Sequence, residues 1–294
     1  MREELSDRFR AALALATVAL IWGSTPIVGQ FALAHVSVPL LLALRFSLAL
    51  LCFAWVRPPR GVWGPGARLG LLMFAVYSIG LPDTTPAKSG FIMGSSVLLV
   101  PLLSWGAGRG VALDALGAAA LGVLGLGVML LSGSAGLGVG DAWQLLAAVL
   151  LALYVRSCAQ VAGRFSPPHL ALPQLAVMAA CAWLWAAPHL GEWRQLTAGT
   201  VGAALYLGVG ATGLVMLLQS FALRHLPAER AALWLLLEPV LTLALAALLL
   251  GTVPGWNVLA GGVLVLLALV WGRGPWQRRR AGRTRSEREL EAGV

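Results

Sequence analysis

The sequence predicts an all-α membrane fold of ten transmembrane helices, arranged as two inverted five-helix repeats. Three observations predict it. First, 59% of the 294 residues are hydrophobic and only 11% are charged, where soluble domains carry roughly a quarter charged residues, and the mean hydropathy is +0.83. Lipid accepts that much apolar surface, and a helix satisfies its backbone hydrogen bonds without water. Second, the chain divides into apolar runs near the ~20 residues that cross a bilayer. Third, arginines gather in alternate connections between those runs.

Cut at Gly, Pro and charged punctuation, the runs place spans at about 11–33, 38–56, 69–82, 89–107 and 112–131. A second group follows at about 142–162, 168–187, 199–220, 228–250 and 255–271. The first span follows basic residues, and Ala32-Leu33-Ala34 resembles a signal-peptide cleavage site. Its apolar stretch is longer than the ~7–15 residues of a signal core, and it holds Trp22, Pro26 and Gln30, so it reads as a retained helix. The third span is short and runs into Asp83-Thr84-Thr85-Pro86. The fourth holds Pro101, the seventh Pro173 and the ninth Pro239. The fifth and tenth are glycine-rich, with Gly117, Gly122, Gly125 and Gly127 in one and Gly261 and Gly262 in the other. The segment Thr85-Pro86-Ala87-Lys88 before the fourth span is echoed by Leu226-Pro227-Ala228-Glu229 before the ninth. This weak internal duplication, with an odd number of spans per half, predicts oppositely oriented repeats. The expected organisation is an N-terminal segment 1–10, repeats over 11–135 and 141–271, and a basic tail 272–294.

Orientation follows from the arginines, which cytoplasmic loops retain in excess. With both termini inside, the cytoplasmic set comprises Arg2, Arg8, Arg10, Arg57, Arg60, Arg68, Arg109, Arg164, Arg224, Arg230, Arg273, Arg278, Arg279, Arg280, Arg283, Arg285 and Arg288. Lys88 and Arg194 fall outside, and Arg45 and Arg156 fall within spans. Nine or eleven spans would break this alternation. The expected location is therefore the cell inner membrane, multi-pass, with both termini cytoplasmic. The net charge of +9 serves topology rather than nucleic-acid binding, because the basic residues sit at helix ends, and the tail arginines suit anionic headgroups. Cys52, Cys158 and Cys181 lie in apolar runs without metal-ligand spacing and read as packing residues. His35, His169, His189 and His225 are scattered near span ends. Without a P-loop, a Gly-x-Ser-x-Gly elbow or an HExxH pair, no catalytic residue, metal site or cofactor is expected.

Four passages carry a family resemblance: Ile21-Trp22-Gly23-Ser24-Thr25-Pro26, Pro39 followed by Arg45-Phe46, Thr84-Thr85-Pro86-Ala87-Lys88-Ser89-Gly90-Phe91, and Leu237-Glu238-Pro239-Val240. From about residue 11 to 271 the chain resembles the EamA-type transporters of the drug/metabolite transporter superfamily. The resemblance implies a ten-helix inverted repeat around a central cavity, acting as a secondary or facilitative transporter that exports a small metabolite, amino acid or drug. The alternative is a non-transporting bundle that scrambles lipid or acts as a scaffold. Family members often carry an acidic residue after Leu-Gly at the end of the ninth helix, where this chain has Gly251-Thr252.

The residues suggest where a small-molecule substrate would bind. Ionisable groups within hydrocarbon are costly and rare, so each is a functional candidate. Glu238, before Pro239, could bind a cationic group or take up a proton, or could hold the proline break in place. Arg45 could clamp a carboxylate in bidentate fashion or reach for the interface, and Arg156 is better placed to reach the cytoplasmic interface. Asp83, Lys88 and Asp141 sit at the outer boundary. Trp22, Tyr77, Tyr154, Tyr206 and Trp234 lie within spans, where a hydrated cavity could satisfy their polar atoms. The expected binding set is therefore Trp22, Arg45, Tyr77, Tyr154, Tyr206, Trp234 and Glu238, with no enzymatic activity. Small residues four apart, such as Gly208 with Thr212, read as helix contacts only.

Overall fold

A computed structural model describes residues 2–79, 91–106, 113–131, 138–250 and 255–272. Every regular element among them is helical. The order is α1 (Arg2–Leu33), α2 (Val38–Leu51), a 3-10 turn (Arg60–Val62), α3 (Trp63–Ile79), α4 (Ser96–Gly106) and α5 (Leu113–Leu130). Then come α6 (Val139–Val161), α7 (Pro167–Ala186) with a 3-10 extension (Ala187–Gln195), and α8 (Ala198–Leu205). A π segment (Tyr206–Leu214) joins α8 to α9 (Val215–His225), followed by α10 (Ala228–Leu235), α11 (Leu237–Leu250) and α12 (Trp256–Trp271).

Five helical stretches are long and apolar enough to cross a bilayer unaided: Asp7–Leu33, Leu113–Leu130, Val139–Val161, Pro167–Gln195 and Ala198–His225. Val38–Leu51, Phe91–Ser104 and Trp256–Trp271 are apolar but shorter. Apolar side chains also cover the outside: Leu13, Leu71, Leu124, Leu184, Leu248 and Leu266 are all exposed. In water such a surface would aggregate, whereas acyl chains solvate it. The chain is a multi-pass membrane protein.

The boundaries correct the expected spans in three places, each for a local reason. The helix of the second span stops at Leu51, because the amides of Cys52 and Phe53 turn back to Ala49 and Leu50. The third begins at Trp63, before Arg68 rather than after it. The ninth, expected as one helix over 228–250, is two: Pro239 has no amide to offer the Leu235 carbonyl, and the Leu236 amide turns to Leu233 instead. Pro26 removes an amide in the same way, but α1 continues through it. The Thr25 hydroxyl donates to the Trp22 carbonyl at 2.7 Å and satisfies the orphan.

Packing follows the small residues. α5 and α12 cross at Gly125 and Gly261, where a Cβ on Gly125 would stand 2.8 Å from the Gly261 carbonyl oxygen. Gly23 brings α1 close to α11, with Thr242 N and Glu238 O at 3.1 and 3.2 Å from a would-be Cβ. The other main pairings are α2 with α7 and with the π segment, α3 with α6 and α7, α1 with α9, and α4 with α6. At one end of the bundle, Glu192 in the 3-10 extension accepts the Ser37 amide at 2.6 Å and lies 3.1 Å from His189 Nδ1, tying that extension to the start of α2.

Candidate functional site: a central cavity with opposed charges

The breaks and close crossings leave a cavity of about 690 Å³ inside the bundle. Its walls are Trp22, Thr25 and Pro26 from α1, Arg45 from α2, Met73, Val76 and Tyr77 from α3, and Glu238, Pro239 and Thr242 from α11. Apolar side chains of α4 and α6, among them Val97, Val100, Leu151 and Val155, complete the lining.

Arg45 is nearly buried, with 7% of its surface exposed, so its donors need defined partners. Its Nε donates to Thr212 Oγ1 at 2.6 Å, and Nη2 donates to the Tyr77 hydroxyl at 3.1 Å and to the Ala211 carbonyl at 3.3 Å. The guanidinium carbon stands 4.9 Å from the Tyr77 ring centroid, within cation–π range, and Phe46 packs edge-on against that ring at 5.4 Å. Nη1 makes no protein hydrogen bond among the described residues. The guanidinium is thus pinned on one side and open on the other.

The π segment supplies the pins. Its register sends the Val215 amide to Gly210 rather than to Ala211, and the Ala211 carbonyl accepts from Arg45 and, at 3.1 Å, from Trp22 Nε1. π turns are rare and concentrate at functional sites. The Thr212 hydroxyl donates to the Leu207 carbonyl, five residues back, at 2.8 Å while accepting from Arg45. In the lining of the same cavity, the Glu238 carboxylate receives no protein hydrogen bond or ion pair among the described residues. Arg45 and Glu238 therefore face one space without neutralising each other.

Four of the seven expected binding residues, Trp22, Arg45, Tyr77 and Glu238, line this cavity. The other three, Tyr154, Tyr206 and Trp234, lie outside its lining. Tyr154 is 1% exposed and its hydroxyl donates to Gln174 Oε1 at 3.1 Å, so its polar atom is satisfied within the protein. Tyr206 is 39% exposed and shares a hydrogen bond with Ser24. Trp234 packs against the core from α10. Arg156 is also absent from the lining, and Asp141 caps α6 by accepting the Gly138 amide at 2.8 Å. Asp83, Lys88, Gly251 and Thr252 lie outside the described residues. Thr212 and Ala211 escaped the sequence reading, since the Gly208/Thr212 spacing signalled only helix contact.

Residues 138–271 match the EamA-like transporter family. The chain carries an EamA-like transporter domain. The match runs from α6 through α12 and includes Leu237-Glu238-Pro239-Val240; the other three passages lie before it. An uncharacterized transporter of Archaeoglobus fulgidus is 32% identical over 172 residues, 57% of this chain and 54% of the relative. The chain thus spans about half the length of the curated relative it matches. A protein of known crystal structure, 20% identical, superposes with a TM-score of 0.74 over 90% of this chain and 98% of that one. At that identity the EamA-like chain shares the fold, and nothing further is carried over.

Proposed function

We propose that this EamA-like protein is a secondary or facilitative transporter that exports a small amphipathic solute by alternating access through the central cavity. The observation that carries the proposal is that Arg45 and Glu238 line one cavity, each with hydrogen-bonding capacity that no protein partner among the described residues uses. A charge in such surroundings is costly unless it is used. Arg45 offers its free Nη1 to a carboxylate or similar oxyanion, and Glu238 offers its carboxylate to an ammonium group or a proton. Met73, Val76, Val97 and Leu243 accept an apolar body between them. A zwitterion with an apolar side chain fits all three features, and proton coupling through Glu238 is the alternative use of the acid. A scaffolding bundle has no need of a charged interior cavity of about 690 Å³.

Alternating access calls for two inverted halves of five spans each, 11–135 and 141–271, with the flanks 1–10 and 272–294 and both termini in the cytoplasm of an inner-membrane protein. The helix pairings support this reading. Counting α8 to α9 as the eighth span and α10 to α11 as the ninth, exchanging the first five spans with the last five turns α1·α9 into α6·α3. It also turns α1·α11 into α6·α4 and α2·π segment into α7·α3, while α2·α7 and α5·α12 map onto themselves; every one of these pairs is in contact.

A thermal-shift screen of purified protein against amino acids, sugars, nucleosides and cationic drugs tests the proposal, because a ligand stabilises the state it binds. Apolar zwitterions should raise the Tm of the parent protein but not of Arg45→Gln or Glu238→Gln, and both variants should lose transport in proteoliposomes while remaining folded. Stabilisation by a neutral sugar, undiminished in both variants, would overturn the charge assignment.

A further inference from the structure

The Arg45 wall of the cavity is built from α2 and α3 of the first half, and the corresponding positions of the second half are packed shut. Helices α2 and α7 begin alike, each after a serine N-cap in extended backbone with proline in the first turn, Ser37 and Ser166. Eight residues after each serine stand Arg45 and Gln174. Both are crossed at their carbonyl by a glycine of the neighbouring helix. A Cβ on Gly208 of the π segment would be 2.7 Å from the Arg45 oxygen, and a Cβ on Gly70 of α3 would be 2.6 Å from the Gln174 oxygen. Arg45 thus corresponds to Gln174, and Gly208 to Gly70. Counting on from the two glycines, Met73 and Tyr77 of the cavity wall correspond to Ala211 and Val215. Gln174, Ala211 and Val215 are 0%, 1% and 1% exposed.

Gln174 is a costly choice for a sealed position, since an apolar residue would need no hydrogen bonds there. Its Oε1 accepts from the Tyr154 hydroxyl, and its Nε2 donates to the Leu170 carbonyl at 2.9 Å. The amide has a second N–H, for which no protein partner is found among the described residues. We infer that Gln174 and Tyr154 form a second solute-binding pole, exposed when the carrier opens to the opposite face and taking the same oxyanion that Arg45 holds. This inference rests on the inverted-repeat carrier reading above. When two inverted halves exchange conformations, the wall formed by Arg45, Met73 and Tyr77 closes, and the wall formed by Gln174, Ala211 and Val215 opens. The two poles differ in chemistry. Arg45 binds an oxyanion through charge-assisted hydrogen bonds, whereas the amide N–H of Gln174, held in place by the Tyr154 hydroxyl on its Oε1, is a neutral donor of roughly half that strength. A solute held firmly at Arg45 is therefore handed to a weaker pole on the other side, which favours release there.

Single-cysteine accessibility tests this in the full chain. Cys52, Cys158 and Cys181 are replaced by alanine, and Arg45→Cys or Gln174→Cys is introduced. The protein is then reconstituted in phosphatidylcholine/phosphatidylglycerol liposomes, and a membrane-impermeant thiosulfonate reagent is applied from one face at a time. The Arg45→Cys variant should react from one face only and the Gln174→Cys variant from the opposite face only. Reaction of both from the same face, or no reaction of a folded Gln174→Cys variant from either, would overturn the second pole and leave the carrier reading intact. An Arg45→Cys variant inert from both faces would overturn the carrier reading itself. If Gln174→Cys does not fold, Tyr154→Cys takes its place with the same expectation; failure of both to fold marks the pair as a structural lock and also overturns the inference.

Discussion

At the scale of single residues, the chain places few charges in the membrane and surrounds one of them with fixed partners. Arg45 is held by Thr212, Tyr77 and the Ala211 carbonyl. A hydrogen bond to a charged group contributes about 1.5–3 kcal/mol, so Thr212→Val should lower stability by an amount in that range. Thr212→Ser, which keeps the hydroxyl, should come close to the parent. Unfolding in detergent micelles, followed by circular dichroism, distinguishes the two. The same Thr212→Val variant should bind its solute more weakly, because a guanidinium freed from one pin samples more orientations. Trp22 illustrates what a side-chain type alone conveys. An indole within a span needs an acceptor for its N–H, and the Ala211 carbonyl is that acceptor. The need was legible in the sequence, but the partner, 189 residues away, was not. Tyr154 posed the same need and met it at Gln174, which is why it lies outside the cavity.

At the scale of elements, proline and glycine decide where helices break and where they touch. Pro26 and Pro239 each deprive a carbonyl of its amide, yet only the second is accompanied by a break in its helix. The difference is local: Thr25 repairs the first gap, whereas the chain turns at Leu236 before the second. That break delivers Glu238 to the cavity from the first turn of α11. The crossing of α5 and α12 depends on bare glycine backbones. Gly261→Val places a side chain against the Gly125 carbonyl and should destabilise the protein by about 1–3 kcal/mol. Gly127→Ala, whose Cβ would meet nothing closer than a Phe91 ring carbon at 3.5 Å, should be neutral or slightly stabilising through helix propensity. Melting temperatures of the two variants, measured side by side, check the contrast.

At the scale of the whole molecule, topology and mechanism are joined, because exchange between two inverted halves requires an odd number of spans in each and both termini on one side. A C-terminal fluorescent-protein fusion should therefore be bright and a C-terminal alkaline-phosphatase fusion inactive. An active phosphatase would place the C-terminus outside and overturn the topology with both termini in the cytoplasm. Membrane embedding, the helical class and the approximate positions of most spans were determined by the sequence alone. Hydropathy and helix punctuation are local properties, and a bilayer leaves a polypeptide few other folds. The likeness to EamA-type transporters was legible too, and of its motifs Leu237-Glu238-Pro239-Val240 falls within the matched residues 138–271. The membership of the cavity was decided only by tertiary structure. Whether an intramembrane tyrosine faces a cavity, a neighbouring helix or lipid depends on helix rotation and crossing. The π segment at Tyr206–Leu214 meets Trp22 and Arg45 through contacts between residues more than a hundred positions apart, to which no local pattern responds.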